Sequence, residues 1–381
     1  MPHLAPHIAT VPASGIRRIY LLASELDDVL SLGVGEPDVS IAPHIAAAAK
    51  AAWDRDDTNY TANAGIPQFR EAIVAKLARD NNVHVETEQV WATIGATQAL
   101  HQALHLTLAA GDEVLIPDPG YTVFTMAPRM LDALPIPYSL RPENGFLPNL
   151  DELESLVTPR TRVLLVNSPS NPLGTVFPES VLRDLLAFAR RHDLWVISDE
   201  VYEYFTWGEP HVSMASLDED DRVFTTFSLS KTYAMTGIRI GYLVTPRGLA
   251  ETMRSVQEAS ISCVNTPAQY AAIAAITGSQ QNIADARAHY QENLVVATEL
   301  LDARGIEYLR PRGTFYLWVN LGHATGGDVA DWAERFLLEQ RVAIAPGSAF
   351  GRSGEGWIRV CVAASRADLL AGLDRLPVPG L

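Results

Sequence analysis

Short apolar runs recur through the middle of the chain, each bounded by turn residues and separated by segments with helical spacing. Strands are expected at Val90–Ile94, Glu113–Ile116, Ala133–Tyr138, Arg162–Val166, Leu194–Ser198, Val223–Phe227 and Ile238–Val244. Helices expected at Thr97–Leu108, Val123–Leu131, Leu150–Leu156 and Glu179–His192 fall between them. Ahead of this series an arm leads into a short helix around Gly15–Leu30 and a turn cluster at Gly33–Asp38. An alanine-rich helix opened by Pro43, the polar loop Asn59–Pro67 and a helix from Gln68 to about Asn81 follow. Behind the series, Arg247 to about Arg304 is helix-rich, and strands are expected at Glu307–Leu309, Thr314–Val319, Val342–Ala345 and Trp357–Cys361.

Apolar strands alternating with helices predict an α/β fold, with a mostly parallel sheet covered by helices on both faces. The C-terminal strands and helices predict a smaller α+β domain. The expected division is residues 1–45 as an N-terminal arm and part of the small domain, 46–280 as the large domain, and 281–381 as the C-terminal small domain. In sheets of this kind ligands sit beyond the carboxyl ends of the strands, so candidate chemistry is sought there.

Composition narrows the function. The chain has 381 residues, 48% hydrophobic and 19% charged, ample for a core. A net charge of −16, with no basic cluster, argues against a nucleic-acid partner. Cys263 and Cys361 stand far apart without CxxC spacing, so neither a disulfide framework nor a zinc site is expected. There is no apolar leader in Met1–Ile19 and no run of transmembrane length, so a cytoplasmic location is expected, with no membrane contact. His101 and His105 are four apart on a helix but lack the glutamate of HExxH, so no metal site is expected. Gly33-Val34-Gly35 lacks the third glycine and preceding strand of a dinucleotide fingerprint.

The candidate chemistry lies after the strands. Of three lysines, Lys50 and Lys76 sit in polar helical segments and are expected to be solvated. Lys231 instead follows the apolar run Val223–Phe227, where a partly desolvated amine can lose its proton and attack a carbonyl to form a Schiff base. Gly95-Ala96-Thr97 opens a helix directly after a strand, a place for a phosphate or simply an N-cap threonine. Asn167-Ser168-Pro169-Ser170-Asn171-Pro172 is a rigid turn of the sort in which cis prolyl bonds occur. Asp199 directly follows the strand ending at Ser198, a place for a catalytic carboxylate or simply a cap or surface charge, with Tyr202 three residues on. Arg359, inside an apolar strand, needs an anionic partner, from the protein or from a ligand.

The run Ser228-Leu229-Ser230-Lys231-Thr232-Tyr233-Ala234-Met235-Thr236-Gly237-Ile238-Arg239-Ile240-Gly241 resembles the cofactor-lysine signature of class I/II aminotransferases, enzymes of fold type I in the aspartate aminotransferase superfamily. Asn167–Gly174 resembles the Asn-x-Pro-x-Asn-Pro-x-Gly segment of that family. The resemblance, from Gly35 to Arg359 with the motifs in family order, implies pyridoxal 5′-phosphate (PLP) held on Lys231. It implies a phosphate site of Gly95, Ala96, Thr97, Ser228, Ser230 and Arg239; Tyr121 stacked on the ring; Asn171 and Tyr202 at the phenolic oxygen; and Asp199 at the ring nitrogen. Arg359 then grips the substrate carboxylate, Gly35 lets the N-terminal segment close over it, and Tyr60 reaches the phosphate of a neighbouring subunit in a shared-site homodimer. The implied reaction moves an amino group between an amino acid and a 2-oxo acid by a ping-pong route. A carbon–sulfur β-lyase or an amino-acid cyclase or synthase on the same scaffold is the alternative. Ile16, Tyr121 and Phe350 are expected to line an apolar pocket for a neutral or aromatic side chain.

Overall fold

The computed structural model describes residues 3–380. Its strands are β1 Leu30–Ser31, β2 Val90–Thr93, β3 Glu113–Asp118, β4 Leu134–Ser139, β5 Thr161–Asn167, β6 Trp195–Asp199, β7 Val223–Ser228, β8 Gly241–Val244, β9 Tyr308–Leu309, β10 Tyr316–Asn320, β11 Val342–Ala343, β12 Ala345–Pro346 and β13 Trp357–Cys361. The main sheet has seven strands in the order β2-β8-β7-β6-β5-β3-β4. Strand β8 pairs antiparallel with both neighbours, and the remaining pairs are parallel.

Period-two alternation explains why both faces of this sheet are covered. Val163 and Leu165 of β5 pack with Leu100, Ala103 and Leu104 of the helix Ala96–Thr107. Their neighbours Leu164 and Val166 pack on the other side with Leu182, Leu185 and Leu186 of the helix Glu179–Arg191. Because neither face meets water, the strand reads as one apolar run.

The second sheet, β12-β13-β10-β9, is antiparallel. Its core joins Ile19 and Leu32 from the N-terminal segment to Phe315, Val342, Val360 and Leu373. A parallel pairing of Leu30 with Val342 and Ser31 with Ala343 fastens the two chain ends to one another. The helix Gln281–Ala303 starts against the large core through Ile283, then packs on the small one through Ala286, Tyr290, Leu294, Ala297 and Leu301.

Several expectations shift. The N-terminal helix is Gly15–Ser24, and Leu30 belongs to β1. The strand expected at Val342–Ala345 divides into β11 and β12, which join different sheets. The strand expected from Ile238 starts only at Gly241, because Arg239 adopts a left-handed backbone with φ 60°. Lys76 is not solvated: its amine binds Glu203 at 2.5 Å and Asn81 at 2.8 Å, with only 3% of its side chain exposed. Lys50 is exposed as expected. No helix among the described residues is long and apolar enough to cross a membrane.

Candidate active site

The carboxyl ends of β2, β3, β5, β6 and β7 face one cavity of about 330 Å³, closed from the other side by Val34, Gly35, Tyr316 and Arg359. Among the described residues its walls carry the cations Arg17, Lys231, Arg239 and Arg359 against the single carboxylate Asp199. A pocket with that balance in a chain of net charge −16 is a local trap for anions.

One end of the cavity is built for a compact anion. Gly95 has φ 86°, which a side chain rarely adopts, and a Cβ there would lie 2.7 Å from the Arg239 guanidinium. The turn therefore brings Arg239 against the start of the helix Ala96–Thr107, whose first N–H groups have no intrahelical partner. Arg239 is held by the carbonyl of Thr236 at 2.8 Å. Ser228 caps the short helix Leu229–Thr232, its hydroxyl accepting from the Ser230 N–H at 3.1 Å. That cap fixes Lys231 one turn into the cavity wall.

Lys231 Nζ donates to the carbonyl of Gly35 at 2.6 Å. Burial, with Arg359 and Arg239 adding in the same sense, brings its pKa down to about 8. Asp199 is 3% exposed, and its carboxylate accepts from the Thr226 hydroxyl at 3.1 Å. Burial pushes its pKa up to about 7, and no cation pairs with it among the described residues. Tyr202 and Tyr316 meet hydroxyl to hydroxyl at 2.8 Å.

Arg359 is 2% exposed and has no carboxylate partner among the described residues. It donates to Asn171 Oδ1 at 2.8 Å and to the Gly33 carbonyl at 2.7 Å, while its Nε has no partner. Aromatic rings hold its plane: the guanidinium carbon lies 4.2 Å from the Tyr316 ring centroid and 4.9 Å from that of Phe350. A desolvated guanidinium held only by neutral groups is stable when an anion completes it.

Gly35, Ala96, Thr97, Tyr121, Asn171, Asp199, Tyr202, Ser228, Ser230, Lys231, Arg239 and Arg359 thus come together on one cavity, with Gly95 behind Arg239. Tyr60 does not join them. It is 91% exposed, on a loop anchored by the Asn59 carbonyl accepting from Thr266 at 3.0 Å. Phe350 lies under Arg359 and against Trp318 instead of on the wall, because the turn Gly347–Phe350 folds its ring into the core. Ile16 and Tyr121 do line the cavity. Sequence reasoning missed Tyr316 and Arg17. Tyr316 sits in an apolar run where a tyrosine reads as core, and Arg17 lies in an arm without a strong period.

A family model described as aminotransferase class I and II matches residues 27–376. The aspartate aminotransferase of Pyrococcus abyssi is 37% identical over 378 residues, 98% of this chain and 97% of that protein. Aromatic-amino-acid aminotransferase 2 of Thermococcus litoralis is 36% identical over 98% of this chain and 97% of its own length. The structure of Thermus thermophilus aspartate aminotransferase with maleate superposes with a TM-score of 0.93 at 33% identity, covering 98% of this chain and 99% of that one. The fold is accordingly that of the fold type I aminotransferases. With its cavity at the carboxyl edge of the sheet and a family match spanning nearly the whole sequence, this chain belongs to the class I and II aminotransferases and is a transaminase.

Proposed function

We propose that the protein is a PLP-dependent aminotransferase that moves an amino group between a neutral or aromatic L-amino acid and a 2-oxo acid by a ping-pong mechanism. The observation that carries this reading is a partly buried lysine, its pKa brought down to about 8, in the same cavity as a buried arginine without a carboxylate partner among the described residues. The residues present fit the cofactor. Asp199 is a buried carboxylate lacking the cation that a protonated ring nitrogen would supply, and the turn at Gly95 with Arg239 leaves a cradle for a phosphate. Gly95, Ala96, Thr97, Ser228, Ser230 and Arg239 would hold the phosphate, Tyr121 the ring face, and Asn171 and Tyr202 the phenolic oxygen. When bound, PLP supplies an aldehyde for the Lys231 amine and a ring that accepts an electron pair.

The chain's own groups do the remaining work. Arg359 takes the substrate carboxylate by two parallel N–H donors and so orients the Cα. Lys231 Nζ, its pKa brought down to about 8, gives up its proton more readily than an ordinary lysine, and can remove the Cα proton and redeliver it. Asp199 keeps its negative charge opposite a cation, although without one it would hold a proton near neutral pH. Residues 46–280 form the cofactor-binding part, with 1–45 and 281–381 as the smaller part that brings Gly35 and Arg359. Tyr60, a large aromatic left exposed on an anchored loop, supports a homodimer in which it reaches the partner's phosphate site. Ile16, Val34, Leu100 and Tyr121 give the walls an apolar character that suits a neutral or aromatic side chain.

The test is a panel of amino donors and 2-oxo acceptors on the PLP-loaded protein and its Lys231→Ala variant. The wild type should absorb near 400–430 nm and favour Phe, Tyr, Leu or Met over Asp by about tenfold or more in kcat/KM. Lys231→Ala should lose both the absorbance and the turnover. Release of pyruvate, ammonia and thiol in place of transfer would assign a β-lyase. Equal or better turnover of Asp would overturn the side-chain assignment and point to Arg17 as the distal cation.

A further inference from the structure

Tyr316 enters the cavity from the small sheet, and its position follows from strand register. In the β10–β13 pairing, Trp318 lies opposite Arg359 and Tyr316 opposite Cys361, so Tyr316 and Arg359 are diagonal neighbours on one face. The ring lies over the Arg359 guanidinium, and the hydroxyl reaches across to Tyr202 at 2.8 Å. A Cβ on Gly35 would collide with that hydroxyl, so the phenol is seated against bare backbone.

We propose that Tyr316 is a positioning residue for the transfer reaction, donating its proton to the Tyr202 oxygen and thereby directing the Tyr202 proton into the cavity. This inference rests on the PLP-dependent reading of the site. Two neutral phenols in contact share one proton between their oxygens. Were Tyr202 the donor, it would offer only lone pairs to the cavity and could not donate to an anionic oxygen there. The Tyr316 hydroxyl would then carry its own proton in a 1% exposed position, where Tyr202 is its hydrogen-bond partner among the described residues. Both tyrosines line the cavity, but the Gly35 backbone lies against the Tyr316 hydroxyl; a buried donor without an acceptor is costly, and the reverse arrangement satisfies Tyr316 and leaves the Tyr202 proton to the cavity. The cation under the Tyr316 ring acts in the same sense, because positive charge against a phenol makes its O–H the better donor.

Tyr316→Phe separates this role from packing, since it keeps the ring on Arg359 and removes only the oxygen. In the PLP-loaded protein the visible absorbance, titrated with pH, should change at a midpoint about 0.3–1 unit higher than in the wild type, because the phenolic oxygen loses part of its donor. kcat should fall about 2- to 10-fold, with KM for the amino acid within about twofold. In a Tyr202→Phe background the same substitution should move the midpoint no further, because Tyr316 acts through Tyr202. An unmoved midpoint in Tyr316→Phe, or an equal movement in the Tyr202→Phe background, would overturn the proposal. So would a rise in KM alone, which would assign Tyr316 to the carboxylate grip. A wild type that gains no visible absorbance with PLP would defeat the functional reading and this inference with it.

Discussion

Replacing Asp199 with asparagine should stabilise the cofactor-free protein in mildly alkaline solution while destroying its activity. Burial raises the Asp199 pKa from an ordinary 3.8 to about 7, which is about three pH units at about 1.4 kcal/mol each. Below about pH 4 the carboxyl is protonated in the folded and unfolded chains alike, and it contributes nothing. Between about pH 4 and 7 the folded protein keeps a proton that the unfolded chain has released, so stability falls as pH rises through that window. Above pH 7 the full penalty of about 4 kcal/mol persists. Asparagine removes that penalty and can still accept from Thr226, but it gives up carboxylate acceptor capacity, a loss of about 1 kcal/mol. The net gain is about 2–3 kcal/mol at pH 8, close to zero at pH 5, and slightly negative below pH 4. Scanning calorimetry of wild type and Asp199→Asn without cofactor should show the variant melting several degrees higher at pH 8 and about level at pH 5. Adding PLP should raise the wild-type Tm by more than that of the variant, since only the carboxylate gains a partner cation. A variant that melts below the wild type at pH 8, or a difference independent of pH, would refute the claim that Asp199 is a buried charge awaiting a counterion.

Other parts of the structure give shorter tests. Gly35→Ala should lower kcat/KM by about tenfold or more, because its Cβ meets the Tyr316 hydroxyl and pushes the N-terminal segment off the cavity; introduced into a Tyr316→Phe background it should cost less than in the wild type, and an equal cost there would locate the clash elsewhere. Lys76→Met should destabilise the fold by about 3–5 kcal/mol in urea unfolding, because Glu203, 9% exposed at its side chain, is left charged without its amine. The apolar pair Lys76→Met with Glu203→Leu should regain most of that stability, and an equally unstable double variant would show that packing, not charge, is at stake.

The strands are legible because a sheet buried on both faces must be written as unbroken apolar runs, and β5 from Thr161 to Asn167 shows this most clearly. Helix and strand ends are less so. Ile94 continues the apolar run of β2 yet is 41% exposed, since the chain must already turn for Gly95 to reach φ 86°. Ile238 likewise has the pattern of a strand residue and is exposed, because the left-handed Arg239 turns its own side chain toward the start of the helix Ala96–Thr107. In both places local backbone geometry serving the site overrides the hydrophobic pattern. Lys76 departs from expectation for another reason: its partner Glu203 lies 127 residues away, and nothing in the polar helix around it reports that pairing.

The legible site residues share a physical property. Asp199 ends an apolar strand, Arg359 interrupts one, and Lys231 follows one on the short helix Leu229–Thr232, so folding must desolvate charges that no neighbouring residue neutralises among the described residues. Such charges are costly in the chain alone and favourable once a ligand of opposite sign arrives, which is why they stand out against the apolar runs that carry them. Tyr316 carries no such mark. It is neutral, sits between apolar neighbours, and acquires a role only through the register that sets it diagonal to Arg359 and the missing Cβ of Gly35 that lets its hydroxyl reach Tyr202. Groups that bind a ligand by charge are therefore readable one residue at a time. A group that orients another by a single shared proton is readable only once strand pairing has brought the two together.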